Sequence, residues 1–318
     1  MSTTHGQRRL LNILGSAIVV GFACPAMASI YHADGSLGFS RDGFNQINPL
    51  TYAVDLGVQA GGGVKFDDST VLHVHAQANS EADGFGVHAH AFAQILSPPV
   101  SGNYAVGAIS TASATFSDVK VSGLGSGLIL TSLNMNLSGG LLNGINVDSG
   151  SIGDAETQAV ISVFINGTFV GSGAVSESVN QFGSRTSNNG MLSAWSPGNT
   201  GIVTPNFTVQ SGVPFEVKLI LLADANTIVN FGDGGGGTAE ANTDFSHTLT
   251  FALNGPIFNL PNGFTVNSVD AHIANNQSVP VPIPNSLALM ACAMFCCSFL
   301  GITNKGQSMV REGNDRSS

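Results

Sequence analysis

Charged residues are scarce in this sequence. They make up 9% of 318 residues, against 43% hydrophobic, where soluble domains carry roughly a quarter. The same figures exclude a disordered chain, which would be poor in apolar residues and rich in charge. Polar positions fall instead to Ser, Thr, Asn and Gly, and the 40 glycines provide for many tight turns. This composition suits an all-β exported protein better than a helical cytosolic one.

Positive charge is scarcer still. Between Ser29 and Pro284 there are 18 acidic residues against Arg41, Lys65, Lys120, Arg185 and Lys218. A segment this acidic is repelled by nucleic-acid phosphates and by anionic lipid, so nucleic acid is excluded as a partner. Cysteine is missing from the same segment: Cys24, Cys292, Cys296 and Cys297 all lie in the terminal apolar stretches. Disulfides, thiolate zinc and a thiol nucleophile are thereby excluded there, and a segment of this length buries enough core without cross-links. The Gly-x-Ser-x-Gly elbow and the His-Glu-x-x-His zinc motif are also absent. No enzyme is expected, although Glu81, Glu156, Glu177, Glu216 and Glu240 leave a glycosidase-like carboxylate pair open.

What is present begins with the two ends. Residues 1–28 have the three parts of a secretory signal peptide: Arg8 and Arg9, the apolar run Leu10 to Ala23, and the small-x-small site Ala26-Met27-Ala28. Signal peptidase would cut before Ser29. At the other end, Pro280, Pro282 and Pro284 alternate with Val281 and Ile283 in a stiff spacer, residues 279–285. Residues 286–302 (Ser286 to Ile302) are uncharged and apolar, long enough for a short membrane-spanning helix. The tail 303–318 carries Lys305, Arg311 and Arg316, which favour a cytoplasmic C-terminus.

This proline spacer, apolar helix and basic end resemble the PEP-CTERM sorting signal of exported Gram-negative bacterial proteins. The resemblance runs from Val279 to Arg311, with Pro280, Pro282, Pro284 and Lys305 as the matching positions. It departs from the family in lacking the glutamate between prolines and in spreading its basic residues over a polar tail. The resemblance implies recognition by an exosortase, with release from the membrane or attachment to surface polysaccharide. Asp244 to Phe251 and Gly263 to Asp270 also look like segments that close the ectodomains of such proteins.

Residues 29–278 read as one β-rich ectodomain, with a division near Asn143–Ser151 as the alternative. The clearest alternation runs through Val71 to Leu96, where Leu72, Val74, Ala76 and Ala78 share one face and His73, His75, Gln77 and Asn79 the other. An Asp83-Gly84 turn would set His75 opposite Phe92 and diagonal to His90. Asn166-Gly167 marks a second hairpin within Ala159–Ser172. Strands are expected at Tyr52–Val58, Ala105–Val121, Leu128–Leu137, Phe207–Gln210, Phe215–Ala223, Phe245–Leu253 and Phe264–Val269. Many short strands without helical periodicity predict an antiparallel β-sandwich of jelly-roll type.

No cofactor is required by these patterns. His75 and His90 are the candidate ligands for a transition metal, since imidazole binds zinc, copper and nickel; otherwise the histidines are a solvated face over an apolar one. Asp67-Asp68, Asp148 and Asp154 are carboxylates of the kind calcium takes. Trp195 is either a sugar-stacking platform or a buried loop anchor. The expectation is an exported envelope or extracellular-matrix structural or interaction protein, reached through the secretion machinery and held at the membrane or sorted to the surface. A carbohydrate-binding module is the alternative on fold analogy, and a secreted polysaccharide hydrolase ranks below it.

Overall fold

The computed structural model describes residues 29–41, 44–45, 50–56, 59–68, 73–97, 101–196, 201–233 and 235–279. The expected signal peptide, the spacer beyond Val279 and the apolar segment 286–302 lie outside the described residues.

The chain opens with β1 (Ile30–Arg41), β2 (Phe44–Asn45), β3 (Leu50–Leu56) and β4 (Ala60–Asp68). The histidine ribbon is β5 (Val74–Ala82) and β6 (Gly86–Leu96), followed by the long β7 (Gly102–Gly123). Next come β8 (Leu128–Thr131), β9 (Asn134–Leu137) and β10 (Gly140–Val147), then β11 (Ile152–Ile165), β12 (Thr168–Asn180) and β13 (Gly183–Gly190). The short β14 (Gly201–Val203) and β15 (Phe207–Gln210) precede the long β16 (Pro214–Phe231) and β17 (Gly237–Phe251). Finally come β18 (Phe264–Asn267), β19 (Ile273–Ala274) and β20 (Gln277–Ser278). No helix occurs among the described residues.

A nine-stranded sheet runs β13-β12-β11-β16-β7-β1-β2, with β3 also on β1 and β18 also on β7. A seven-stranded sheet runs β14-β9-β17-β6-β5-β4, with β10 also on β17. Every ladder is antiparallel, and the two sheets pack face to face through β1, β7 and β16 against β5, β6 and β17.

The layer between the sheets is made of small side chains. Ala76 and Ala78 on β5, and Ala89, Ala91 and Ala93 on β6, face Ala108, Ala112 and Ala114 on β7 and Ala223 and Ala225 on β16, all buried. Hydroxyls can therefore reach from one sheet to the backbone of the other. Ser80 donates to the Asp34 carbonyl at 3.1 Å, Ser110 to the Asn79 carbonyl and Thr243 to the Asp224 carbonyl. Each such bond contributes roughly 0.5–1.5 kcal/mol and satisfies a buried hydroxyl. Aromatic side chains fill the ends of the layer, with Tyr31, Phe116 and Phe251 in contact at one end and Tyr104 against Phe231 at the other.

Two elements differ from expectation. Leu128–Leu137 is two strands, because the chain changes partners at Ser132-Leu133. There Leu133 N donates to Thr204 Oγ1 at 2.9 Å and Asn134 N to the Ile257 carbonyl at 2.7 Å. The glycine-rich stretch at Ala60–Gly63, outside the expected strands, is part of β4. Gly62 lies beneath the Tyr52 ring, where a Cβ would come 2.6 Å from Cδ2, and the Tyr52 hydroxyl meets Ser80 Oγ at 2.8 Å.

The Asn166-Gly167 turn is as expected, with φ of 49° and 72° between the paired Ile165 and Thr168. Gly167→Ala should cost about 1–2 kcal/mol, the penalty of a left-handed alanine. Gly144→Ala has open space and ordinary φ, so it should be neutral or stabilising by about 0.5 kcal/mol. Urea denaturation compares the two; equal midpoints would contradict the turn geometry.

Candidate functional site

Outward positions of β4, β5, β6 and β17 line up in rows across the seven-stranded sheet. The rows read Asp67–His75–Gln94–Glu240, Lys65–Gln77–Phe92–Asn242 and Gly63–Asn79–His90–Asp244, with Gly61–Glu81–His88 beyond. This register is two residues away from the one an Asp83-Gly84 turn would give. Ala82 pairs with Val87, and four residues turn the chain. Asp83 N donates to the Gly86 carbonyl at 3.0 Å, while Asp83 Oδ1 accepts from Phe85 N at 2.8 Å and Gly86 N at 3.0 Å. A shift of two leaves every side chain on its expected face.

The shift does separate the candidate metal ligands. His75 is opposite Gln94 and His90 opposite Asn79, so they stand four ladder positions, about 13 Å, apart. A single ion does not bridge that distance. Among the described residues no three metal-ligating side chains converge. Asp67 and Asp154 lie on different sheets, and Asp148 instead accepts from Gly236 N at 3.0 Å in a loop. Trp195 is 7% exposed, with its ring centroid 5.7 Å from that of Phe245, and is a loop anchor rather than a platform.

His75 sits edge-on to Phe92 at 5.0 Å, and its Nε2 is buried without a hydrogen-bond partner. Burial pushes its pKa below the ordinary 6.5, with the Lys65 ammonium adding to the effect.

An open groove of about 580 Å³ lies over the Gly63 and Gly61 rows. Gly61 and Gly63 strip the edge strand to its backbone, and a Cβ at Gly63 would collide with Asn79 Oδ1. Asn79 Nδ2 approaches His90 Nδ1 at 3.5 Å, and the Glu81 carboxylate accepts from Gln59 Nε2. Gln77, His88 and Asp244 complete the polar lining. Among the described residues no lysine or arginine lines it, and two carboxylates do, so the groove disfavours phosphate and other anions. Interspersed amides, imidazoles and carboxylates offer both donors and acceptors, which suits a neutral polyhydroxylated ligand.

A second groove, of about 540 Å³, crosses the outer face of the nine-stranded sheet. Its axis is the row Glu156–Asn226–Gly107–Gly38. The paired glycines form the floor, and Ile109 and Ile228, 40% and 55% exposed, stand on either side. Asn226 Nδ2 donates to Asp224 Oδ1 at 2.7 Å. Burial, and to a lesser degree Glu156, raises the Asp224 carboxyl above its ordinary pKa. This juxtaposes two of the chain's carboxylates. Neither groove is visible as a motif: strand pairing sets Gly61 and Gly63 beside Glu81 and Asn79 in the first, and Gly38 beside Gly107 in the second.

Of the processing residues, Ser29 and Val279 are described. Ser29 is buried and its Oγ donates to Asp270 Oδ2 at 2.7 Å, while Val279 N donates to the His272 carbonyl at 2.8 Å. Ala26, Ala28, Pro280, Pro282, Pro284 and Lys305 lie outside the described residues. No family model, curated protein or solved structure matches the chain.

The depressed His75 pKa has a consequence for stability. An unfolded chain takes up a proton near pH 6.5 that the folded site resists, so this stability is complete above 6.5 and lost as pH falls below it. His75→Leu should therefore show a smaller loss of stability than the parent between about pH 7 and pH 5. Denaturant midpoints at the two pH values measure it, and an unchanged loss would contradict the assignment.

Proposed function

We propose that the chain is an exported protein of the cell envelope or extracellular matrix. It leaves by the general secretory route, is cut by signal peptidase before Ser29, and is held or sorted through its C-terminus. The observation that carries this reading is that both ends of the sandwich leave from one pole. Ser29 is bound to Asp270 and Val279 to His272, two residues within a single turn. A domain cut at one end and tethered at the other by the same membrane needs both ends on the side facing that membrane. The lipid-repelling acidity of the segment from Ser29 to Pro284 agrees with a tether, rather than a surface patch, as the means of attachment. The resemblance of Pro280, Pro282, Pro284 and Lys305 to a PEP-CTERM signal favours an exosortase as the sorting partner.

Intact mass and terminal sequencing of the protein from membrane, cell-surface and medium fractions test this. The sorting reading expects a chain running from Ser29 to near Pro284 outside the inner membrane. Retention of Leu287 to Ser318 in membranes would remove the exosortase step and leave a permanent anchor. Recovery of the chain only in the cytoplasm with residues 1–28 attached would overturn export.

The groove over the Gly61 and Gly63 rows favours a second reading for the ectodomain, binding of surface polysaccharide. Its mixed donors and acceptors suit hydroxyl groups, and its carboxylates repel anionic ligands. Saturable binding of the exported protein to purified neutral envelope polysaccharide should weaken about tenfold in Glu81→Ala and in His88→Ala, the effect of losing one well-placed hydrogen bond. Unchanged affinity in both variants would place the binding elsewhere.

A further inference from the structure

Ser29, the residue just before β1, is held by its own side chain. It is 5% exposed and donates its hydroxyl to Asp270 at 2.7 Å. Asp270 lies in a turn that Asp118 of β7 braces: Asp118 Oδ2 accepts from Val269 N at 2.6 Å and Asp270 N at 3.2 Å, and its Oδ1 accepts from the Ser268 hydroxyl. Ser268 Oγ also accepts from Ala271 N at 3.0 Å, closing the turn. The carboxylate that meets Ser29 is thus positioned from behind by a separate strand.

Negative charge gathers at this spot from three parts of the chain. Asp270 of the C-terminal turn, Asp83 of the β5–β6 turn and Asp118 of β7 all act on the Tyr31 phenol, raising it further after burial has done so. Among the described residues, no lysine, arginine or histidine forms an ion pair with these three carboxylates. One cation is supplied by processing itself. Hydrolysis of the Ala28–Ser29 peptide bond consumes one water, leaves a carboxylate on Ala28 and frees an amine on Ser29 that is protonated at neutral pH. That nitrogen is about 3–4 Å from its own Oγ by covalent geometry, and the Oγ already touches Asp270.

We propose that removal of the signal peptide completes the fold: the new α-ammonium of Ser29 pairs with Asp270 and locks β1 to the C-terminal turn. The inference rests on the export reading and adds that cleavage, besides releasing the chain, stabilises it. Charge-assisted hydrogen bonds are the stronger class, and this one joins the first strand to a turn 241 residues away. An α-amino group titrates near 7.7–8.0 when free, and a carboxylate partner raises that value in the folded state. The stabilisation is then complete below about pH 7.7 and is lost as pH rises through the raised folded value. The other titratable groups facing the site are Asp83, Asp118, Asp270, the Tyr31 phenol, which titrates above its ordinary 10.0, and the His272 ring, stacked on Phe85 at 4.8 Å. Lys120 is exposed on β7 beside Pro214 and Asn267, and Lys218 pairs with Thr115 on the outer face, whose other neighbour is Ile30.

The test compares the exported protein with one carrying a single glycine inserted between Ala28 and Ser29, after N-terminal sequencing of each. The insertion moves the ammonium one residue away from Asp270. The unfolding equilibrium constant should be about tenfold smaller for the chain starting at Ser29 near neutral pH, and the difference should vanish near pH 10. Asp270→Asn should abolish the difference between the two termini. Equal stability of the two chains at neutral pH, with Ser29 verified as the first residue, overturns the lock alone. A native terminus elsewhere overturns the cleavage reading beneath it.

Discussion

The contact between the sheets governs this structure. An ordinary sandwich separates its sheets by about 10 Å and fills the gap with large aliphatic side chains. Here alanines occupy the middle of the layer, and serine and threonine hydroxyls reach the carbonyls of the opposite sheet. Gly35 carries the same signature, since a Cβ built there would come within 3.1 Å of the Ala78 Cβ on the facing sheet. Small side chains bury little apolar area each, so the fold draws on length instead. β7 has 22 residues and β16 has 18, and they pair over most of that length.

This inner economy shapes what the outside can do. With alternate residues committed to a thin apolar layer, the opposite faces are free for polar side chains, and glycines on those faces become grooves. Gly61 and Gly63 open one on the seven-stranded sheet, and Gly38 opposite Gly107 opens another on the nine-stranded sheet. The first is lined by acids, amides and imidazoles, the second by Glu156, Asn226, serines and the exposed Ile109 and Ile228, and among the described residues no arginine or lysine lines either. That chemistry suits uncharged, hydroxyl-bearing partners better than anionic ones. The pole where Ser29, Asp270 and Val279 meet is a third kind of surface, defined by where the chain enters and leaves.

The all-β class was legible because its cause is local. The alternation of Ala76, Ala78, His75 and Gln77 assigns faces by period two alone, and the Asn166-Gly167 pair states its turn outright. Register was not legible to the same degree. Asp83 can cap a four-residue loop with its own carboxylate, and nothing in Asp83-Gly84 distinguishes that from a two-residue turn. Two residues of slip were enough to part His75 from His90. The strand at Gly61–Gly63 was hidden because its glycines answer to side chains on other strands, Tyr52 and Asn79. The row Glu156–Asn226–Gly107–Gly38 spans four strands and has no trace in local spacing.

A substitution at Ser110 tests the close approach of the sheets most directly, because the residue is fully buried and spans the gap to Asn79. Ser110→Ala removes the hydroxyl without adding volume and should cost about 1 kcal/mol. Ser110→Val adds bulk where the account leaves no room and should cost about 1–3 kcal/mol more than alanine. Urea denaturation of the parent and the two variants gives the comparison. Valine as stable as alanine, or more so, would mean that the sheets stand at an ordinary separation and that hydroxyl contact across the layer does not hold them together.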